Sequence, residues 1–340
     1  MINIYYKAAL FDAAIELQKI RNLIPEEKAN KIRKILVAKI SYKQKLKRFE
    51  AYKKDLKEAE KYFCKFTDFL KKSSVHKGYK NFIDELAKNN KIPQKNLENL
   101  VKDSQKITSF INQKVRFKKG LPKEYWSEHY LTFPKHKSQK EYQLEEVYKI
   151  WQESDPLAKE IIKKIKIIKD EEASCLYNKN KKIFEIRCSL KYKTIPSIFT
   201  FIHELGHARQ EMEMIKENKN HLLLTNYQKE KYAHRFALEL ARKIAPEEEF
   251  WAYLWFKTKD LIVNGLFEYF IYKNNAKKPS KLYANLHNQF YGQKYQKENY
   301  YYLTLKPILL ENGRFFITAI SFIQAFKEII IQRNAVDNKF

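Results

Sequence analysis

The chain has 340 residues, a formal net charge of +27, 44% hydrophobic and 15% aromatic residues, and only six glycines and nine prolines. That apolar content can fill a sizeable core and excludes wholesale disorder, and so few turn-formers predict long helices joined by short connections. Three cysteines (Cys64, Cys175 and Cys188), odd in number and with no CxxC, exclude a disulfide framework and a thiolate zinc site.

The opening stretch MINIYYKAALFDAAIELQKI has no basic start followed by an apolar block. No signal peptide is expected, and a reducing cytoplasm is the expected compartment. Residues 5–72 place apolar side chains at helical spacing among many charges, which predicts a helical hairpin or bundle arm. Further helices are expected over 80–119. Within them, LAKNNKIPQKNLENLVKDSQKITSFI reads as a short helix, a turn at Pro93 and a second helix. It fits a loose DNA-binding helix-turn-helix and also a packed helical arm. Residues 1–150 hold 35 basic against 18 acidic residues, and residues 151–340 hold 32 against 22. The lysines spread along the helices rather than cluster. A solvated surface is the plainer account, and nucleic acid bound by the basic N-terminal region is the alternative.

Gly120, Pro122 and Pro134 break the helical pattern and mark 120–140 as the candidate boundary. It separates a basic helical region, 1–140, from a second domain, 141–340. Residues 141–170 read as a further helix interrupted near Pro156. The period then changes. In KIFEIRCSL (182–190), Phe184, Ile186, Cys188 and Leu190 alternate with Glu185, Arg187 and Ser189, which is strand periodicity. ASCLY precedes it across the turn-rich NKNK, so a β-hairpin is expected over 173–190. From 196 onward the pattern is helical again. The apolar run FFITAISFIQAF (315–326) is too short to span a bilayer and predicts a buried helix, so no membrane partner is expected. The fold class is mainly α with a small β element (α+β).

TFIHELGHARQ (200–210) carries chemistry. On a helix, residues four apart share one face, so His203 and His207 can point at one ion. Thr194 and Pro196 supply a helix start, and Ile198, Phe199, Ile202 and Leu205 supply apolar surface to bury it. Neutral imidazoles suit Zn2+. Glu204 follows the first histidine and is placed to act as general base on a metal-activated water. Gly206 is unfavourable inside a helix, so an element packed closely against this turn is expected.

A catalytic zinc needs a third protein ligand and one open position. The extended pattern HExxHxxGxxH is not met, because Gln210 and Glu213 stand at its glycine and third histidine. Downstream, Ala233, Phe236, Ala237, Leu240, Ala241 and Ile244 form an apolar stripe at helical spacing, and Glu230 falls within it. A carboxylate on a buried face needs a partner, and a zinc ion supplies one. His234 at the stripe's edge and His221 compete for the role. Glu230 as a solvated or capping residue at a frayed helix start is the plainer alternative.

FTFIHELGHA followed by EKYAHRFALELARKIAPEEEF resembles the gluzincin arrangement, and more narrowly the ImmA/IrrE family of zinc metallopeptidases. The matching positions are Glu230, Ala233, Phe236, Ala237, Leu240 and Pro246, the proline later than in that family. The resemblance covers residues 173–250. It implies zinc ligation by His203, His207 and Glu230, with Glu204 as the catalytic base. The second domain, 141–340, is read as the zinc metallopeptidase domain, with its motif core at 173–250 and C-terminal helices over 251–340 completing the cleft. Edge pairing of a peptide with the strand over 182–190 would place Glu185, Arg187 and Ser189 near the cleft.

The chain also resembles the thimet and oligoendopeptidase F family, mostly helical gluzincins that share HELGHA. That likeness implies oxyanion donors near HNQFYGQKYQKENYYY, carried by His287, Tyr291 and Tyr295. The expected reaction is zinc-dependent hydrolysis of a peptide or protein substrate. The rival is a DNA-binding or regulatory protein with a zinc-binding sensor domain.

Overall fold

The computed structural model describes residues 2–37, 42–115, 142–170, 173–188, 195–220, 223–274, 277–291 and 298–331. Helices dominate, with one three-stranded sheet among the described residues. The mainly α chain with a small β element is therefore what forms. Contacts gather into two compact units made of separated stretches. The first draws on Met1–Lys95 and Lys257–Ala319, the second on Asn96–Arg116, Lys135–Phe256 and Ile320–Phe340. The boundary expected within 120–140, between 1–140 and 141–340, lies outside the described residues.

In the first unit, helices Ile2–Leu23 and Lys53–His76 lie along one another, as the periodicity over 5–72 requires. Ala9, Ala13 and Ile20 on one, and Leu56, Ala59, Phe63, Phe66 and Leu70 on the other, are buried at helical spacing. The aromatic content fills the space around them. Phe63 stacks on Phe267 with centroids 6.3 Å apart and tilts against Tyr302 at 5.1 Å. Helix Arg314–Phe326 starts against a buried carboxyl group: Glu268 accepts hydrogen bonds from the backbone N–H groups of Gly313 (3.3 Å) and Phe316 (2.8 Å). Phe316 of this unit and Ile320, Ile323 and Phe326, which count with the second, are buried, so the apolar run is a core helix. No helix among the described residues is long and apolar enough to cross a membrane.

In the second unit, helix Leu100–Lys114 buries Leu100, Ile107 and Ile111. Asn112 accepts from the Trp255 indole (2.9 Å), and Asp103 pairs with Lys327 (2.6 Å). This second helix of the segment that resembles a helix-turn-helix thus commits one face to packing.

The sheet belongs to the same unit. Its strands are β1 (Ile165–Lys169), β2 (Ser174–Asn178) and β3 (Ile183–Cys188), ordered β1-β3-β2. The expected hairpin forms from β2 and β3, antiparallel, with Cys175 opposite Ile186 and Tyr177 opposite Phe184. The Asn178 side chain accepts from Lys181 N–H (3.1 Å), and Lys182 adopts φ +53° to close the turn. Phe184, Ile186 and Cys188 are buried, as the alternation predicted.

Two expectations are corrected here. The helix read over 141–170 stops at Ser154, resumes only over Ala158–Ile162, and gives way to β1, parallel to β3. The β-branched run Ile165, Ile167, Ile168 fits a pleated surface, and pairing with β3 overrides the helical period. β3 is also the central strand, hydrogen-bonded on both sides. It has no free edge for the peptide pairing expected at Glu185 and Arg187. Ser189 lies outside the described residues.

Candidate metal centre

Two helices of the second unit build the site. The motif helix, Ile195–Lys216, carries His203, Glu204 and His207. The glutamate helix, Asn226–Ile244, carries Glu230. Its start is a capping box. The Thr225 hydroxyl accepts from Gln228 N–H (3.3 Å), and the Gln228 side-chain oxygen accepts from Thr225 N–H (2.9 Å). Glu230 therefore sits past the first turn of a firmly capped helix, not at a frayed end.

Close approach of the two helices follows from small residues. A Cβ at Gly206 would lie 2.9 Å from Ala233 Cα and 3.2 Å from its carbonyl oxygen. The sequence cue that something packs against Gly206 is met by the very helix that carries Glu230. Ala208, Ala233 and Ala241 are fully buried.

At this separation the side chains converge. His203 Nε2 is 3.4 Å from Glu230 Oε2, and His207 Nε2 is 3.7 Å from Glu230 Oε1. One donor atom from each of the three residues lies within 4.8 Å of the others. Zinc bonds of about 2.0–2.2 Å in a tetrahedron put ligand atoms roughly 3.3–3.6 Å apart, so the set fits that ion with small adjustments. The side chains are 17%, 19% and 28% exposed, so solvent reaches part of the cluster. Burial opposes ionisation of Glu230, but the hydrogen bond from His203 and the nearby charges of His203, His234 and His207 hold its carboxyl well below the usual range.

The other sequence candidates take different places. His234 is not among the three that converge. Its Nε2 stands 3.8 Å from Glu230 Oε2, and its ring lies 4.5 Å from that of His203, with Phe322 beyond at 5.4 Å. Glu204 is 6% exposed, on a helix that packs against β2 and β3. Burial raises the thiol pKa of Cys188 to about 11, and the Glu204 charge adds to this; Cys175 is raised further, by burial and by the charges of Glu204 and Glu211. Gln210 is buried and Glu213 is bound to Arg209, so neither supplies a third ligand on the motif helix. His287, in the first unit, is 0% exposed, with its ring edge-on to Tyr283 at 4.8 Å. His221, Tyr295 and the Tyr291 side chain lie outside the described residues.

The sequence reading missed a second polar cluster on this helix pair. Arg209 binds Asp155 through Nε (2.5 Å) and Glu213 through Nη1 (2.5 Å), and contacts the Tyr232 hydroxyl. Tyr232 donates to Glu213 (2.5 Å). Asp155 also accepts from the Trp151 indole (2.8 Å) and Leu157 N–H (3.0 Å). The one available cue was Arg209 and Glu213, four apart on a helix. A cavity of about 300 Å³ lies beside this cluster, not over the metal ligands, lined by Trp151, Asp155, Arg209, Tyr232, Phe236 and Glu239 among others.

No family model and no curated protein sequence matches the chain. Solved structures do. A Pz peptidase A solved with an inhibitor has TM-score 0.65 at 13% identity, over 97% of this chain and 68% of that one. A chain assigned as oligoendopeptidase F has TM-score 0.59 at 14% identity, over 98% and 67%. Another, from Bacillus anthracis, has 0.55 at 14%, over 97% and 70%. At such identities the likeness is one of fold. It extends far beyond residues 173–250 and lies with the second of the two resemblances. The ImmA/IrrE resemblance, which rested on the motif core alone, gains no support from it.

Proposed function

We propose that the chain is a zinc-dependent metallopeptidase that hydrolyses peptide bonds in a peptide or protein substrate. The observation that carries this reading is the convergence of His203, His207 and Glu230, with Glu204 next to the first ligand in sequence. The fold shared with the Pz peptidase and oligoendopeptidase F structures supports it.

When bound, zinc supplies a Lewis acid that polarises the scissile carbonyl and makes water more acidic. His203 and His207 would hold the ion through their imidazole nitrogens, and Glu230 would add a carboxylate oxygen. Glu204 takes a proton from the attacking water and passes it to the departing amine nitrogen. Oxyanion donation by His287 and Tyr291 is the part of this reading that rests on the oligoendopeptidase resemblance alone. The full burial of His287 weighs against its direct contact with substrate.

The test is metal analysis and peptide cleavage by the wild type and by Glu204→Gln. One zinc per chain in both proteins, with cleavage lost only in the variant, is the expected result. A wild type that takes up no zinc overturns the reading. Stoichiometric zinc without cleavage, together with steeply salt-dependent DNA binding, would favour the sensor instead.

A further inference from the structure

Zinc ligation shared between two helices needs those helices held at one separation and one rotation. Gly206 and Ala233 fix the separation. The flanks of that contact differ. At about 100° per residue, His203 and His207 lie to one side of Gly206 on the motif helix, and Arg209 lies to the other. On the glutamate helix, Glu230 and His234 lie to one side of Ala233, and Tyr232 and Phe236 to the other. The metal ligands occupy the first flank and the Arg209 cluster the second.

We propose that Asp155, Arg209, Glu213 and Tyr232 form a clasp that positions Glu230 against His203 and His207. This rests on the zinc reading above. Arg209 stands two residues after His207, and Tyr232 two residues after Glu230, so each grips the backbone turn that carries a ligand. Arg209 reaches three elements at once: the end of helix Leu144–Ser154 through Asp155, its own helix through Glu213, and the glutamate helix through Tyr232. Asp155 is itself held by the Trp151 indole and Leu157 N–H, so the anchor does not swing. The planar guanidinium donates in several fixed directions, which a single ammonium does not. Rotating either helix about the Gly206–Ala233 contact would break these bonds on one flank while separating the ligands on the other. The four side chains are positioning residues, and none of them touches the reacting atoms.

The full chain is compared with Tyr232→Phe and Arg209→Lys, and with Glu58→Gln, which alters a surface pair with Lys61 (2.9 Å), as control. Zinc affinity is read by competition with a chromogenic chelator, the visible spectrum with Co2+ as the probe ion, and folding by metal-free melting. Tyr232→Phe and Arg209→Lys are expected to weaken zinc binding about 10- to 100-fold, the range for residues supporting metal ligands, and to change the Co2+ bands. The control is expected to match the wild type. Should Arg209→Lys fail to fold, Tyr232→Phe decides, because it removes one hydroxyl and keeps the ring. Folded variants with wild-type zinc affinity and Co2+ bands overturn the clasp and leave the zinc reading standing, even where melting drops. A wild type that binds neither Zn2+ nor Co2+ overturns both.

Discussion

Gly206 and Ala233 touch so closely that residue 206 has no room for a side chain: a Cβ there would stand 2.9 Å from Ala233 Cα. The obstacle is backbone, which cannot turn aside as a side-chain tip can. In an open helix, Gly→Ala gains about 1 kcal/mol of helix propensity. Here Gly206→Ala is expected to lose about 1–3 kcal/mol, the usual range for overpacking, and to weaken zinc binding as Glu230 moves from the histidines. Melting and zinc titration check it. A stabilised variant with unchanged zinc affinity would show that the helices are not in this contact.

Glu230 and His234 lie one turn apart, and both face His203, but only Glu230 converges with both motif histidines. Glu230→Gln is expected to cost more zinc affinity than the roughly hundredfold ceiling for a residue outside the ligand set. His234→Gln is expected to fall within about 10- to 100-fold. Zinc competition on both variants checks the order. A greater loss in His234→Gln would exchange their roles.

The cysteines are placed for packing. Burial raises the Cys64 and Cys188 thiols to about 11, with Glu60 and Glu204 respectively adding to the effect. The thiolate is the reactive form, so at pH 8 these groups should alkylate far more slowly than a free cysteine. Iodoacetamide labelling followed by mass spectrometry is expected to modify the thiols readily in denaturant and little in the folded chain. Rapid labelling of the folded chain at Cys188 would contradict its burial against the motif helix.

What could be read in the sequence was local. HELGH at helical spacing, Glu230 on a predicted apolar stripe and the alternation of Phe184, Ile186 and Cys188 each report short-range geometry; HELGH and Glu230 do lie on helices, and the three strand residues are buried. β1 was misread because IKIIK is too short to declare itself; only pairing with β3 makes it a strand. The clasp was missed because Arg209 and Asp155 are 54 positions apart, and no spacing rule joins them. The interleaving of residues 1–95 with 257–319 is longer-range still.

Glu268 was silent for the same reason: its burial and its partners Gly313 and Phe316 arise only from folding. Burial pushes its carboxyl up to about 8, against the lowering effect of those backbone N–H groups, and the Glu311 charge adds to the rise. In the unfolded chain the group titrates in the ordinary carboxylate range. Between that range and pH 8 the folded chain keeps a proton that the unfolded chain has lost. The group's stabilising contribution is therefore full at low pH, falls as pH rises toward about 8, and is level above it. Glutamine resembles the protonated form and can still accept from Phe316 N–H. Glu268→Gln should match the wild type near pH 4 and melt at least about 2 °C higher at pH 8.5, the shift that about 1 kcal/mol gives in a domain of this size. Other titrating groups are common to both proteins, so the difference in Tm isolates this one. A difference that is flat across this range, or that favours the wild type at pH 8.5, would mean that Glu268 is ionised in the fold and acts as a charged helix cap.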